Sequence, residues 1–301
     1  MLKITKATDP IEVKNICVTI YANPGIGKTS MAFTADKPLL LDFDRGAYRS
    51  SNRGEVVQVE SWADIMGITA DDLKPFRTVA IDTAGRALDA LTSHILRTNP
   101  KAGNKVGGLS LQGYGELKTI FTTWTKLIRS FGLDVVLLSH SDEQKDGDEV
   151  RERLDIQGGS KNEIYKASDC MGRIYLRNGK RTLNFSPTDT AFGKNPAQLP
   201  PLDVPDFAQT PDFLATVIAN TKAALNRMSA AQTEVASTQA EWRDKINACA
   251  DLDEFDGMIE PIKALDTAVR DTLKRLLLKA AKAKGYTFDK SAGHFVAQQA
   301  A

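Results

Sequence analysis

The chain has 301 residues, 42% of them hydrophobic and 26% charged, which is apolar matter enough for one large domain or two. Its formal net charge of +1 excludes a global field that collects nucleic acid, so any such binding must come from local basic surfaces. No apolar run approaches the roughly 18 residues of a membrane span, the opening Met1-Leu2-Lys3-Ile4-Thr5-Lys6 lacks a signal-peptide core, and Cys17, Cys170 and Cys249 lack the spacing of a zinc site or disulfide framework. A soluble, cytoplasmic protein without membrane contact is expected, its cysteines serving as packing residues.

Residues 1–15 are a polar lead-in to the apolar strand Ile16-Cys17-Val18-Thr19-Ile20. Tyr21-Ala22-Asn23-Pro24-Gly25-Ile26-Gly27-Lys28-Thr29-Ser30 follows, and Met31-Ala32-Phe33 continues a helix that stops before Lys37-Pro38. A β-branched strand, a glycine-rich turn and Gly-Lys-Thr opening a helix form the context in which a P-loop works. Backbone amides of Asn23, Pro24, Gly25, Ile26 and Gly27, where present, and of Ser30 close around phosphate oxygens, aided by the helix N-terminus. Lys28 neutralises β- and γ-phosphates, and the Thr29 hydroxyl enters the shell of a Mg²⁺ ion. The pattern departs at one place, where Ala22 stands for a glycine.

Leu39-Leu40-Leu41 is a second buried strand ending in Asp42-Phe43-Asp44, and Val56-Val57-Gln58-Val59 is a short edge strand. Val79-Ala80-Ile81 leads into Asp82-Thr83, and Val135-Val136-Leu137-Leu138 into Ser139-His140. Short apolar strands alternating with helical stretches predict a parallel sheet covered on both faces, with ligands beyond the carboxyl ends of its strands. Asp82 has the position of the second metal-site acid. Its neighbour is Thr83 rather than a carboxylate, so the water-activating group must come from another strand, and Asp44 is the candidate; an Asx turn is the alternative role for Asp42 or Asp44. His140 sits where a γ-phosphate sensor belongs.

Lys101–Gly115 and Asp142–Ser160 read as long loops of functional or merely connecting character. Arg173–Phe185 is a hairpin around Asn178-Gly179, and the proline-rich 195–211 an extended connector. A helix over 213–228, a small polar linker over 229–240 and three short helices, Glu241–Cys249, Asp253–Leu265 and Asp266–Lys284, complete the chain. The expected organisation is a core over 1–205, a connecting helix and linker over 206–240, and a small helical C-terminal domain over 241–301. The last helix has a stripe of Val269, Leu273, Leu276, Leu277 and Ala280, with Arg270, Lys274, Lys279 and Lys282 mostly off it, a solvated face or a phosphate-contacting one.

Over about residues 14–205, the P-loop and the three strand ends at Asp44, Asp82 and His140 occur in the order and spacing of a RecA-like core. With Gly158-Gly159-Ser160-Lys161-Asn162-Glu163-Ile164-Tyr165, Asp169 and Phe192-Gly193-Lys194-Asn195, the chain resembles phage-encoded RecA-like ATPases, the small AAA-type group that includes Sak-type annealing and recombination proteins. The resemblance implies an α/β fold with a mainly parallel sheet and an antiparallel edge hairpin, ATP and Mg²⁺ as cofactors, and Asp44 in place of a catalytic glutamate. His140 takes the place of a sensor glutamine, and Lys194 resembles a lysine that reaches a neighbouring subunit's nucleotide. It further implies a homo-oligomer with ATP at its interfaces, single-stranded DNA and a single-strand-binding protein as partners, and a phage or prophage source. The expected activity is a slow or DNA-stimulated ATPase that promotes annealing or strand exchange. The alternatives are a nucleotide-switched binding module with little hydrolysis and a helicase-loader-like ATPase; a full helicase carries a further N-terminal domain, for which a P-loop beginning near residue 22 leaves no room.

Overall fold

The computed structural model describes residues 2, 4–146, 149–156 and 160–298. Two compact units emerge, Val13–Leu225 and Met1–Glu12 with Asn226–Ala301.

In the first unit, β1 (Cys17–Ala22) feeds the P-loop and α1 (Lys28–Ala32), then come β2 (Pro38–Asp42), β3 (Glu55–Gln58), α2 (Ala70–Leu73), β4 (Thr78–Asp82) and α3 (Ala84–Thr98). After α4 (Leu111–Ser130) follow β5 (Asp134–Asp146), β6 (Glu149–Leu154), α5 (Lys161–Ala167), β7 (Cys170–Arg177), β8 (Lys180–Asn184), β9 (Leu202–Asp203) and the start of α6 (Phe213–Ala248). These strands form one sheet in the order β3-β2-β4-β5-β1-β7-β8-β9, with β6 pairing the far end of β5. Pairing is parallel from β3 through β7 and antiparallel from β7 to β9. The expected parallel core with an antiparallel edge is therefore present, and the hairpin turns at Asn178 (φ 51°) and Gly179 (φ 76°), a pair of positive φ values that asparagine and glycine tolerate best.

Period-two alternation divides the strand residues between two cores. Cys17, Tyr21, Leu39, Leu41, Val79, Ile81, Val135 and Leu137 pack against α3, α4 and Ile164 of α5. Val18, Ile20, Leu40, Ala80, Val136 and Leu138 pack on Met31, Ala32 and the Leu214, Val217 and Ile218 face of α6. Asp134 and Asp169 hold the entrance of β1 by accepting from the Ile16 and Cys17 amides, each at 2.8 Å.

Two stretches expected as loops are ordered elements. Most of Asp142–Ser160 is the β5–β6 hairpin, in which Asp142 faces Arg153 and Gln144 faces Arg151; Gly158 and Gly159 lie outside the described residues. Within Lys101–Gly115, Asn104 Oδ1 accepts from the Val106 and Gly108 amides at 3.0 Å each, and Ser110 caps α4 by accepting from the Gly113 amide. That helix therefore begins six residues before the apolar stripe at Leu117 announces it.

The second unit contains the rest of α6, α7 (Leu252–Gly257), α8 (Ile259–Lys263), α9 (Thr267–Ala283) and the hairpin β10 (Tyr286–Asp289) with β11 (His294–Ala297). Its core is Ile246, Phe255, Ile262, Leu273, Leu277 and Phe295. The expected linker at 229–240 is corrected: it lies inside α6, because alanine, glutamine and glutamate without glycine or proline favour helix whatever their polarity. The expected helix over 253–265 is two helices, and the strand pair after Gly285 adds a hairpin to what read as a purely helical unit. Cys17, Cys170 and Cys249 are free and buried, as packing residues should be.

Candidate active site

The sheet register brings the predicted residues together. Ala22 at the end of β1 lies beside His140 of β5, and Asp82 of β4 beside Leu138 of β5 on one side and Asp42 of β2 on the other. Beyond Asp42 the chain stays on β4, since the Phe43 and Asp44 amides donate to the Asp82 carbonyl at 2.7 and 3.1 Å. The two acids after β2 then divide their roles. Asp42 accepts from the Gly46 and Ala47 amides at 3.1 and 2.9 Å and fixes the turn, whereas Asp44 faces an open cleft of about 600 Å³.

That cleft is lined by Pro24, Gly25, Ile26, Gly27, Lys28, Thr29 and Ser30 together with Asp44, Asp82 and His140. Gly25 (φ 78°) and Gly27 (φ 101°) adopt backbone that disfavours any other residue. Ala22 needs no such freedom, because it is still in β1, and its carbonyl is turned to Lys28. The Lys28 ammonium donates to the Ala22 and Asn23 carbonyls at 2.9 and 3.1 Å and lies 3.2 Å from His140 Nδ1. A lysine can only donate, so Nδ1 is the acceptor nitrogen and the His140 proton sits on Nε2, 3.4 Å from Asp44 Oδ2. Asp44 Oδ1 in turn lies 3.4 Å from Arg86 Nε. The result is a continuous line of contacts from Lys28 through His140 to Asp44 and Arg86.

Burial pushes the Lys28 ammonium down to about 8, against the opposing pull of Asp82 and Asp44. Burial also raises Asp82, with the hydrogen bond from Thr29 opposing and the charges of Asp44 and Asp42 reinforcing the rise. Thr29 Oγ1 donates to Asp82 Oδ2 at 2.5 Å. This adjacent hydroxyl and carboxylate, in a pocket that already penalises an uncompensated anion, fit a Mg²⁺ ion whose other ligands are phosphate and water. Thr83, where many ATPases carry a glutamate, instead caps α3 by accepting from the Arg86 amide.

Other expected site residues lie differently. Ser30 lines the cleft, yet its hydroxyl is engaged with Ser50 and Ser51 at 2.9 and 3.1 Å. The side chain of Asn23 is turned to Ser141, from whose hydroxyl it accepts at 2.6 Å, and its contribution to the loop is the carbonyl that holds Lys28. Lys194 lies outside the cleft lining and donates to the Ser168 carbonyl at 2.5 Å. Arg49, Arg181, Asp206 and Phe207 also line the cleft, and Arg86 touches Asp44, none of them marked by the strand-end pattern. Arg86 was discoverable from its place one turn after Asp82. Arg181 and Phe207 carry no local signal, since Arg181 reaches the Ile26 carbonyl across 155 positions of sequence.

A mainly parallel sheet with a strand between the P-loop strand and the Asp82 strand, and with the phosphate turn at its carboxyl edge, defines a P-loop nucleotide-binding domain of RecA-like architecture. The AAA_24 family, an AAA domain, matches residues 14–197, and the chain belongs to it. No curated protein matches the sequence significantly. Among solved structures, the RadB recombinase is similar at 12% identity and a TM-score of 0.33 over 56% of this chain and 79% of that one. A KaiC-like protein from Pyrococcus horikoshii OT3 is similar at 11% identity and a TM-score of 0.31 over 57% and 78%. Likenesses this slight carry nothing about activity.

Proposed function

We propose that the protein is an ATPase, stimulated by single-stranded DNA, that promotes annealing or strand exchange. The observation that carries the reading is the position of His140, which stands in the wall of both the nucleotide cleft and a second cavity of about 260 Å³ lined by Thr83, Arg86, Tyr114 and Asp155. With one ring nitrogen on Lys28 and the other toward Asp44, a ligand that shifts His140 from the second cavity resets both groups that face the γ-phosphate. Single-stranded DNA suits that side. The Asn104 turn presents Val106 and the first turn of α4 presents Leu111 and Tyr114, exposed by 91, 91 and 41%, with the exposed Lys101 and Lys105 in the same stretch of chain, and apolar or aromatic surfaces next to cations are what unstacked bases and phosphates require.

In the hydrolytic step, Lys28 and the loop amides bind the β- and γ-phosphates, and Asp44 orients the attacking water and takes its proton. Thr29 and Asp82 would hold Mg²⁺, which supplies charge neutralisation for the phosphate oxygens. Self-association with ATP at the interfaces belongs to the same reading, with Lys194 exchanging the Ser168 carbonyl for a neighbour's nucleotide. So do a single-strand-binding protein as partner and a phage or prophage setting of the Sak type.

The test combines fluorescence anisotropy on a labelled dT oligonucleotide with turnover measurements. Replacing Lys101 and Lys105 by alanine is expected to weaken DNA binding and its salt dependence. His140→Ala is expected to keep both ligands but lose the stimulation of one by the other. An oligonucleotide that neither binds nor changes turnover overturns the reading, and a nucleotide-switched binding module then takes its place.

A further inference from the structure

The phosphate-facing residues account for only part of the cleft. Its remaining lining is Gly46, Arg49, Ser50 and Ser51 from the segment after β2, and Arg181 of β8 with Asp206 and Phe207 from the segment after β9. A nucleotide anchored by its phosphates at Lys28 and Thr29 must place its base among these groups.

Arg181 is held in a fixed plane there. Its Nη2 donates to the Pro205 carbonyl at 2.8 Å, its Nη1 to the Ile26 carbonyl at 3.4 Å, and its guanidinium carbon lies 4.9 Å from the centroid of the Phe207 ring. Phe207 is only 4% exposed, so the ring backs the guanidinium from the protein side. A planar, weakly hydrated cation locked in this way stacks well on a flat base, and its prior ordering lowers the cost of binding. Asp206 is exposed beside it; its Oδ1 accepts from the Ala208 amide at 3.0 Å, and its Oδ2 has no hydrogen-bond partner among the described residues.

We infer that Arg181, backed by Phe207, is the base-stacking platform of this site, and that Asp206 Oδ2 accepts from the exocyclic 6-amino group of adenine. The inference rests on reading the cleft as a nucleoside triphosphate site. A carboxylate oxygen attracts that amino group and repels the carbonyl oxygen that guanine and hypoxanthine carry at the same position. Guanine's N1–H and N2–H pair is the other natural partner of a carboxylate; there Oδ1 would accept a second hydrogen bond beside that of the Ala208 amide, so a preference for GTP in competition overturns the adenine assignment.

The experiment is competition against ribose-labelled fluorescent ATP on the full chain, with ATP, GTP, ITP and inorganic tripolyphosphate as competitors. Wild-type protein is expected to prefer ATP over ITP and GTP by about tenfold, the effect of one hydrogen bond to a charged group. Asp206→Ala is expected to bring that ratio to within about threefold of unity while leaving tripolyphosphate unchanged. Arg181→Lys, which keeps the charge and removes the plane, weakens every nucleoside triphosphate alike and leaves tripolyphosphate unchanged. No base preference in the wild type, or a preference that survives Asp206→Ala, overturns the role of Asp206. Loss of tripolyphosphate binding in Arg181→Lys makes Arg181 a phosphate ligand instead. If neither nucleotides nor tripolyphosphate bind at all, the nucleotide reading itself fails. Asp206 is exposed, so its variant folds and decides the base-selection claim even if Arg181→Lys does not fold.

Discussion

Removing the Lys28 ammonium from water costs solvation that two carbonyls and a histidine only partly restore. Its pKa consequently stands near 8 rather than 10.5. Below about pH 8 both folded and unfolded chains carry the proton and the folded state bears the whole cost. Between the two values the unfolded chain holds a proton that the folded one has released, so this residue's contribution to stability improves as pH rises. Lys28→Met, which removes the charge and keeps much of the apolar stem, is expected to raise the thermal midpoint at neutral pH by the equivalent of roughly 1–3 kcal/mol while abolishing ATP binding. Calorimetric titration checks the other half of the argument. ATP affinity is expected to be level below about pH 8 and to fall by up to about tenfold per pH unit above it, because only the charged ammonium attracts phosphate; an affinity still level two units higher contradicts the assignment. Asp44 makes a different prediction. Asp44→Asn keeps ATP binding and lowers turnover by about 10² or more, whereas equal losses in both show that the carboxylate serves the ground state.

At the scale of elements, α4 contains two glycines with opposite meanings. A methyl group on Gly113 would run into the Ala102 carbonyl oxygen, the atom that also accepts from the Ser110 amide at 2.8 Å, while one on Gly115 meets nothing within 4 Å. Gly115→Ala should therefore stabilise by about 0.5–1 kcal/mol through helix propensity, and Gly113→Ala should destabilise and loosen the Asn104 turn; urea denaturation of the two variants measures both, and equal effects refute the packing argument. The core strands were legible in sequence because each is a short apolar run ending in polar residues at one edge of the sheet, and that local pattern sufficed to bring Lys28, Thr29, Asp44, Asp82 and His140 to the lining of one cleft. The β5–β6 hairpin was not legible. Its cross-strand pairs mostly join two polar or charged residues, as in Asp142 with Arg153, and only Val150 and Leu154 are apolar, so no sustained apolar alternation marks it. The β10–β11 turn was readable in principle. Asp289 Oδ1 accepts from the Ser291 amide at 2.8 Å and Gly293 adopts φ 77°, a local signal overshadowed by the long α9 before it.

At the scale of the whole molecule, the cleft and both cores on either face of the large sheet lie within Val13–Leu225, and the second unit has an apolar core of its own. A fragment of those residues is expected to bind ATP within about threefold of the full chain, and loss of binding on truncation contradicts that independence. What sequence could not supply at this scale is the far wall of the cleft, because Arg181 and Phe207 meet Gly27 only after the hairpin and the β9 segment fold back over the P-loop. Among the described residues no helix is long and apolar enough to cross a membrane. The central claim is that this cleft hydrolyses ATP under the control of a bound single strand. Steady-state ATP hydrolysis by the purified protein, with and without single-stranded DNA and beside Lys28→Ala, tests it most directly. Turnover that DNA raises and that disappears in the variant is the predicted result, and tight ATP binding with turnover indifferent to DNA would contradict it.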